Sequence, residues 1–305
     1  MNKYPGGVWP VMLTPYDDKM RVDEDGLAAL VEWYIAHGVS GLFAACQSSE
    51  IMKLSLEERV RIVEITLKAA AGRVPVVASG HISDDFDAQL RELNAIAGTG
   101  VDAVILITNH LAAPDEDDDV WMRNMETLLG HLDPALPLGM YECPAPYKRL
   151  LSLENIRACA ETGRFYFLKD TCCDAVTIRA RIQAIAGTNL RLYNANATTL
   201  LASLRAGAAG YSGVMANIHP ELYVWLTANF NHLNADLVQA ALTMGSLIER
   251  QLYPVNAKYH LQALEGLPIT THSRVQDDSL LTETFRDEVR QMDLLMREVC
   301  AKYCR

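Results

Sequence analysis

The chain has 305 residues, half of them hydrophobic, and carries a formal net charge of -11. That hydrophobic fraction excludes global disorder, and the acidic balance leaves no broad cationic surface for a phosphate backbone. The opening MNKYPGGVWP lacks the apolar core of a signal peptide, and no run of 18 apolar residues occurs, so the expectation is a cytoplasmic protein that engages neither nucleic acid nor membrane.

Short apolar runs alternate with longer amphipathic ones along the chain. The first strand is expected at VWPVMLT (8–14), followed by a helix in DEDGLAALVEWYIAHG. GLFAAC (41–46) precedes the helix SLEERVRIVEITLKAAAG, and PVVASG (75–80) precedes SDDFDAQLRELNAIAGTG. DAVILIT (102–108), PLGMYEC (137–143) and FYFLKD (165–170) continue the rhythm, with SLENIRACAETG between the last two. LRLYNAN (190–196), the helix TTLLASLRAGA and GYSGVMA (210–216) complete it. Many of the helices open on Ser, Asp or Thr and close on Gly, as capped helices do. Beyond about residue 221, ELYVWLTANFNHLNADLVQAALTMGSLIERQL and DDSLLTETFRDEVRQMDLLMREVCAKY read as helices with no strands between them.

Eight strand–helix units predict a closed parallel (β/α)8 TIM barrel with a C-terminal helical extension. Residues 1–221 form the expected barrel core up to the start of the eighth helix. Residues 222–305 supply the eighth barrel helix and the extension, as one structural unit with the barrel. An open doubly wound sheet is the alternative, but no GxGxxG turn follows the first strand.

In a barrel, chemistry belongs at the carboxyl ends of the strands. Lys169 ends the sixth strand and Tyr141 the fifth, with Glu142 beside it. Gln47, Ser48 and Ser49 follow the second strand, His81 the third and His110 the fourth. Asn194 and Asn196 belong to the seventh, and Ser212 lies in the eighth. A lysine desolvated inside a barrel loses proton affinity, and the neutral amine can attack a carbonyl to form a Schiff base. The competing reading pairs Lys169 with a carboxylate such as Asp170 or lets it snorkel from the strand end. A phenol on the adjacent strand can shuttle protons at such an imine. Ser48 and Ser49, at the start of a helical turn, can offer hydroxyl and backbone donors to a substrate carboxylate or simply cap the turn.

Seven cysteines without repeated CxxC spacing predict reduced, mostly structural thiols, including the adjacent Cys172 and Cys173. No H-x-H occurs on the first strand, so no catalytic metal is expected, and the acidic run DEDDD (115–119) reads as a solvated helix start. His81 and His110 read as loop histidines, with hydrogen bonds to a polyhydroxylated substrate as the alternative role.

GGVWPVMLTPY, the SSE loop followed by LSLEER, then YECP, FLKD and GYSGVMANIHP occur in an order that resembles the dihydrodipicolinate synthase and N-acetylneuraminate lyase superfamily, the pyruvate-type class I aldolases. The resemblance spans residues 4 to 221 and implies that Lys169 forms the Schiff base and Tyr141 moves protons. It further implies substrate binding by the loop Gln47, Ser48 and Ser49 and by the carbonyl at Ser212. Departures accompany it: the family's G-[TS]-T-G-E loop reads Cys46-Gln47-Ser48-Ser49-Glu50, the arginine expected five residues after the tyrosine is Pro146, and the fourth-strand loop ITNHLAAP has no tyrosine. The implied activity is a cofactor-free lyase acting on a 2-oxo acid and an aldehyde, not dihydrodipicolinate synthesis. Dehydration of a 2-oxo-3-deoxy sugar acid through the same imine and a non-catalytic 2-oxo acid sensor are the alternatives. A homo-oligomer, tetramer or dimer, is implied as well.

Overall fold

The computed structural model describes residues 3–304. Its strands and helices alternate as β1 (Gly7–Val8), α1 (Glu24–Ala36), β2 (Leu42–Ala44), α2 (Leu56–Ala70), β3 (Val76–Ser79) and α3 (Phe86–Ala97). They continue as β4 (Ala103–Ile107), α4 (Asp118–His131), β5 (Leu138–Tyr141), α5 (Leu153–Glu161), β6 (Phe165–Asp170) and α6 (Ala175–Ala184). The last two units are β7 (Arg191–Asn194) with α7 (Leu200–Arg205), and β8 (Gly210–Tyr211) with α8 (Pro220–Ala228). All strand pairs are parallel, in the order β1-β8-β7-β6-β5-β4-β3-β2. The ring closes between the two outer strands at the Val11–Phe43 bridge, where Met12 N donates to Phe43 O at 2.9 Å and Phe43 N to Pro10 O at 3.0 Å. The result is the expected TIM barrel.

Two apolar cores follow from the pleat. Trp9, Phe43, Phe167 and Tyr193 fill the barrel interior, with Phe167 stacked on Tyr193 at 4.3 Å between ring centroids. Leu138, Met140 and Leu168 pack outward against the helices instead. Residues alternate between these two cores along β5 and along β6 from Phe167 onward, past a register shift between the two strands.

Strands one and eight are shorter than the sequence suggests. Pro10 has no N–H to continue the first ladder. The eighth is cut by close approach: a Cβ at Gly210 would lie 1.8 Å from Gly7 O, and one at Gly213 would meet Ala195 O at 2.3 Å. The segment expected to continue as strand turns into a short 3-10 helix at Val214–Asn217, leaving Ser212 just past β8.

Local signals account for the helix starts. Ser55 and Glu58 form a reciprocal capping box at α2, and Asp23, Asp85, Asp117, Ser152, Asp174 and Thr282 each accept a backbone N–H at their helices. Asp117, Asp118 and Asp119 of the acidic run thus cap and open α4. Beyond α8 come α9 (Ala235–Gly245), α10 (Val255–Ala263) and α11 (Glu283–Tyr303), the helical extension. Its first half returns to the carboxyl ends of the strands, where Tyr253 and Pro254 reach the barrel mouth.

Candidate active site

Lys169 is buried, and its neighbour Asp170 lies on the other face of β6. Asp170 receives Arg181 Nη1 at 2.5 Å, while Glu142, next to Tyr141 on β5, is 2.8 Å from Arg181 Nη2. Glu142 also accepts from Leu151 N and Thr171 N. Both carboxylates are therefore spent on one buried guanidinium behind the strands. That arrangement leaves the inward pair, Lys169 and Tyr141, registered side by side, with Nζ 4.0 Å from the centre of the tyrosine ring. The pairing of Lys169 with Asp170 that the sequence left open does not occur.

Lys169 makes no ion pair among the described residues, and burial lowers its pKa to about 8. Burial likewise pushes the Tyr141 phenol well above its ordinary range, so the hydroxyl stays protonated at neutral pH. That hydroxyl points to Gln47 Oε1 at 3.4 Å, and Cys143 Sγ stands the same 3.4 Å from that oxygen. All seven cysteines are free thiols.

A cavity of about 710 Å³ opens above Lys169 and Tyr141 at the carboxyl ends of the strands. Gln47 and Ser48 line it from the loop after β2, Ala195 and Asn196 from the turn after β7, Gly213 and Val214 from the segment after β8. The extension adds Glu249, Arg250, Tyr253 and Pro254, and the loop after β5 adds Lys148. Its size suits a small ligand.

Other residues singled out in the sequence lie elsewhere. Ser49 stands behind the wall: its hydroxyl donates to Met12 O at 2.6 Å and accepts from Cys46 N at 3.1 Å. Ser212 is buried outside the lining, with its backbone N donating to Asn194 O. His81 accepts Ile107 N at Nε2 and so carries its proton on Nδ1, facing Gln89 Oε1 at 3.2 Å. Burial pushes its pKa down to about 3, so it remains neutral. His110 faces Asp84 at 2.9 Å, and neither histidine lines the cavity.

Sequence reasoning missed Tyr253. Its phenol accepts from Asn217 Nδ2 at 2.8 Å, and Asn217 Oδ1 in turn accepts from Tyr34 at 2.6 Å. No local pattern marked it, because it arrives from a segment remote from every strand. Lys258 was also passed over: it is the second buried lysine, but Glu50 lies 2.7 Å away and neutralises it.

Comparison with known proteins gives a consistent picture. The model of the dihydrodipicolinate synthetase family matches residues 4–280. A 4-hydroxy-tetrahydrodipicolinate synthase of Bacillus subtilis (strain 168) is 26% identical over 294 residues, covering 91% of this chain and 99% of the relative. The structure of a catalytic lysine mutant of Ruminococcus gnavus sialic acid aldolase superposes with a TM-score of 0.87 at 19% identity, over 99% of both chains. A prophage protein of the dihydrodipicolinic acid synthase family from E. coli K12, solved in complex with pyruvate, gives 0.82 at 21% identity over 96% of this chain and 98% of its own.

Proposed function

The chain belongs to the dihydrodipicolinate synthetase family, and from that premise we propose that it is a lysine Schiff-base lyase cleaving or forming a carbon–carbon bond of a 2-oxo acid. The observation that carries this reading is the Lys169 ammonium, without an ion pair among the described residues, buried below a cavity and 4.0 Å over the Tyr141 ring.

In the proposed reaction the neutral Nζ of Lys169 adds to the keto carbon, and loss of water gives an iminium. That cation accepts the electron pair released when the bond between carbons 3 and 4 breaks, leaving an enamine and an aldehyde. The enamine is protonated at carbon 3, and hydrolysis of the resulting imine releases pyruvate and restores the amine. Tyr141 moves the protons at the imine and at the aldehyde-bearing fragment. Ser48 and Gln47 line the same cavity, and in this reading they take the substrate carboxylate end. Ser49 acts from behind by fixing the loop through Met12 O. Ser212, from its position beside β8, contributes only its backbone.

The second substrate is an aldehyde, so the overall substrate is a 4-hydroxy-2-oxo acid or a 2-oxo-3-deoxy sugar acid. We take the protein to be a homo-oligomer with chemically self-contained pockets, which light scattering at micromolar concentration tests. The function itself is tested by borohydride trapping with pyruvate followed by peptide mass spectrometry. Irreversible addition at Lys169 is expected, and labelling at another lysine or none with any 2-oxo acid overturns the reading.

A further inference from the structure

Away from the cavity, the last barrel unit and the extension meet at a second group of chemistry-bearing side chains. His219 immediately precedes α8, His260 lies in α10 and Asp293 in α11, and all three are buried. Their ligating atoms fall within 4.8 Å of one another. None of the three lines the cavity above Lys169.

Hydrogen bonding fixes the histidine tautomers. His219 Nδ1 faces Glu221 Oε1 at 3.2 Å, and in a neutral imidazole a carboxylate there holds the single proton on Nδ1. The lone pair of His219 Nε2 then points toward Asp293 Oδ1, 3.8 Å away. His219 Nε2 is buried and finds no hydrogen-bond partner among the described residues. Two electron-rich atoms thus face each other across a gap too long for a hydrogen bond. A positive centre between them relieves the repulsion.

His260 Nε2 lies 2.9 Å from the same Asp293 oxygen. First-row divalent ions bind imidazole nitrogen and carboxylate oxygen at about 2.0–2.2 Å, which sets two ligands on one ion roughly 3–4 Å apart. The 3.8 Å separation falls within that span and the 2.9 Å one just short of it. The carboxylate is also oriented: Arg297 Nε holds Asp293 Oδ2 at 2.8 Å and itself pairs with Glu265. Three carboxylates (Asp293, Glu221 and Glu265) against the single Arg297 give a dication favourable surroundings.

We propose that His219, His260 and Asp293 form a structural site for a divalent transition metal, best suited to zinc. Its ligands are His219 Nε2, His260 Nε2 and Asp293 Oδ1, with a water completing the tetrahedron. On binding, the proton of His260 moves from Nε2 to Nδ1, so both imidazoles stay neutral. The ion joins the start of α8 to α10 and α11, and so fastens the extension to the barrel.

The test uses the full chain without a histidine tag, stripped of metal by chelation, and zinc and cobalt as probes. One equivalent of zinc is expected to bind per chain. At a hundredfold excess over Kd it should raise the Tm by at least about 4 °C. Cobalt should give d–d bands without thiolate-to-cobalt charge transfer, which separates this site from the cysteines. Asp293→Asn and His219→Gln should abolish both responses. Where a variant fails to fold, the wild-type stoichiometry and cobalt spectrum decide. The proposal is overturned by absence of zinc binding at micromolar concentration, by a thiolate-dominated cobalt spectrum, or by folded variants that retain the site.

Discussion

Glu50 and Lys258, 208 positions apart, form a buried ion pair at 2.7 Å. The lysine also donates to the His272 carbonyl, and the second oxygen of Glu50 accepts from Ser273 Oγ at 3.1 Å and Arg274 N at 2.5 Å. Glu50 itself sits at a φ of 62°, a left-handed conformation disfavoured for a residue with a side chain. The loop bearing Gln47 and Ser48 is therefore held from the extension.

Lys258→Ala should be strongly destabilising, because it strands a buried carboxylate. A loss of about 3–5 kcal/mol is expected from denaturant unfolding. Replacing both partners, as in Glu50→Gln with Lys258→Met, should recover part of it. In the surviving folded protein KM for the 2-oxo acid should rise more than kcat falls, since the pair acts on binding through the loop. A wild-type unfolding curve for Lys258→Ala would show that the pair is not needed.

Tyr141→Phe separates imine formation from proton transfer. The ring remains, so the packing against Phe43 at 5.6 Å and the surface beneath the Lys169 ammonium are kept. Borohydride trapping at Lys169 should persist, while turnover falls by about a hundredfold or more, the typical loss of a general acid–base group. Undiminished turnover would remove Tyr141 from the proposed chemistry.

The lowered pKa of Lys169 gives the trapping reaction a pH profile. Burial disfavours the ammonium, so half of the amine is already free at about pH 8, against 10.5 for an ordinary lysine. The apparent second-order rate of pyruvate trapping should rise with pH and level off above about 8. Stability runs in the same sense: between these two values the unfolded chain binds more protons than the folded one, so Lys169 contributes a gain in stability as pH rises. Below about 8 both states hold the proton, and the burial penalty is at its full size. Stopped-flow trapping across that range, with Lys169→Met as the reference for stability, measures both effects.

The barrel was legible in the sequence because each unit states its own period and the first six helices are capped locally. Seven helix N-caps use Ser, Asp or Thr with the side chain accepting a backbone N–H, and β2 to β7 fall inside the apolar runs. The eighth strand was overdrawn because contact between Gly210 and Gly7 is a long-range constraint that no local pattern encodes. At the site, Lys169 and Tyr141 were legible from their place at the carboxyl ends of neighbouring strands. Tyr253, Lys258 and the division of labour between Ser48 and Ser49 were not, because they depend on how a distant segment folds back over the barrel mouth. The role of Glu142, beside Tyr141, depends on Arg181, 39 positions later, which no local pattern ties to it.

The choice of aldehyde is the last expectation. Synthesis from pyruvate and aspartate semialdehyde requires a cation to hold the partner's carboxylate, best met by a bidentate arginine. Pro146 follows Tyr141 by five residues and offers no donor. Arg149 turns outward to the Ala113 and Glu116 carbonyls and to Asp118. Lys148 does line the cavity, but its ammonium is held by the Thr171 carbonyl and presents a point charge, not a fork. Arg250 and Asn196 line the cavity from other elements, where a polyhydroxylated chain can hydrogen-bond to them. Pyruvate with aspartate semialdehyde should therefore turn over poorly, while 2-oxo-3-deoxy sugar acids or 4-hydroxy-2-oxo acids are cleaved faster. Pyruvate plus aldehyde as products identifies the lyase, and an unchanged carbon number identifies a dehydratase using the same imine. Arg250→Ala should raise KM for a sugar acid by about tenfold, the equivalent of one hydrogen bond to a charged group, and leave trapping of pyruvate unchanged. A coupled reductase assay giving a kcat/KM of about 10⁴ M⁻¹s⁻¹ or more with aspartate semialdehyde, as for an ordinary physiological enzyme, would show that Lys148 or Arg250 substitutes for the absent arginine.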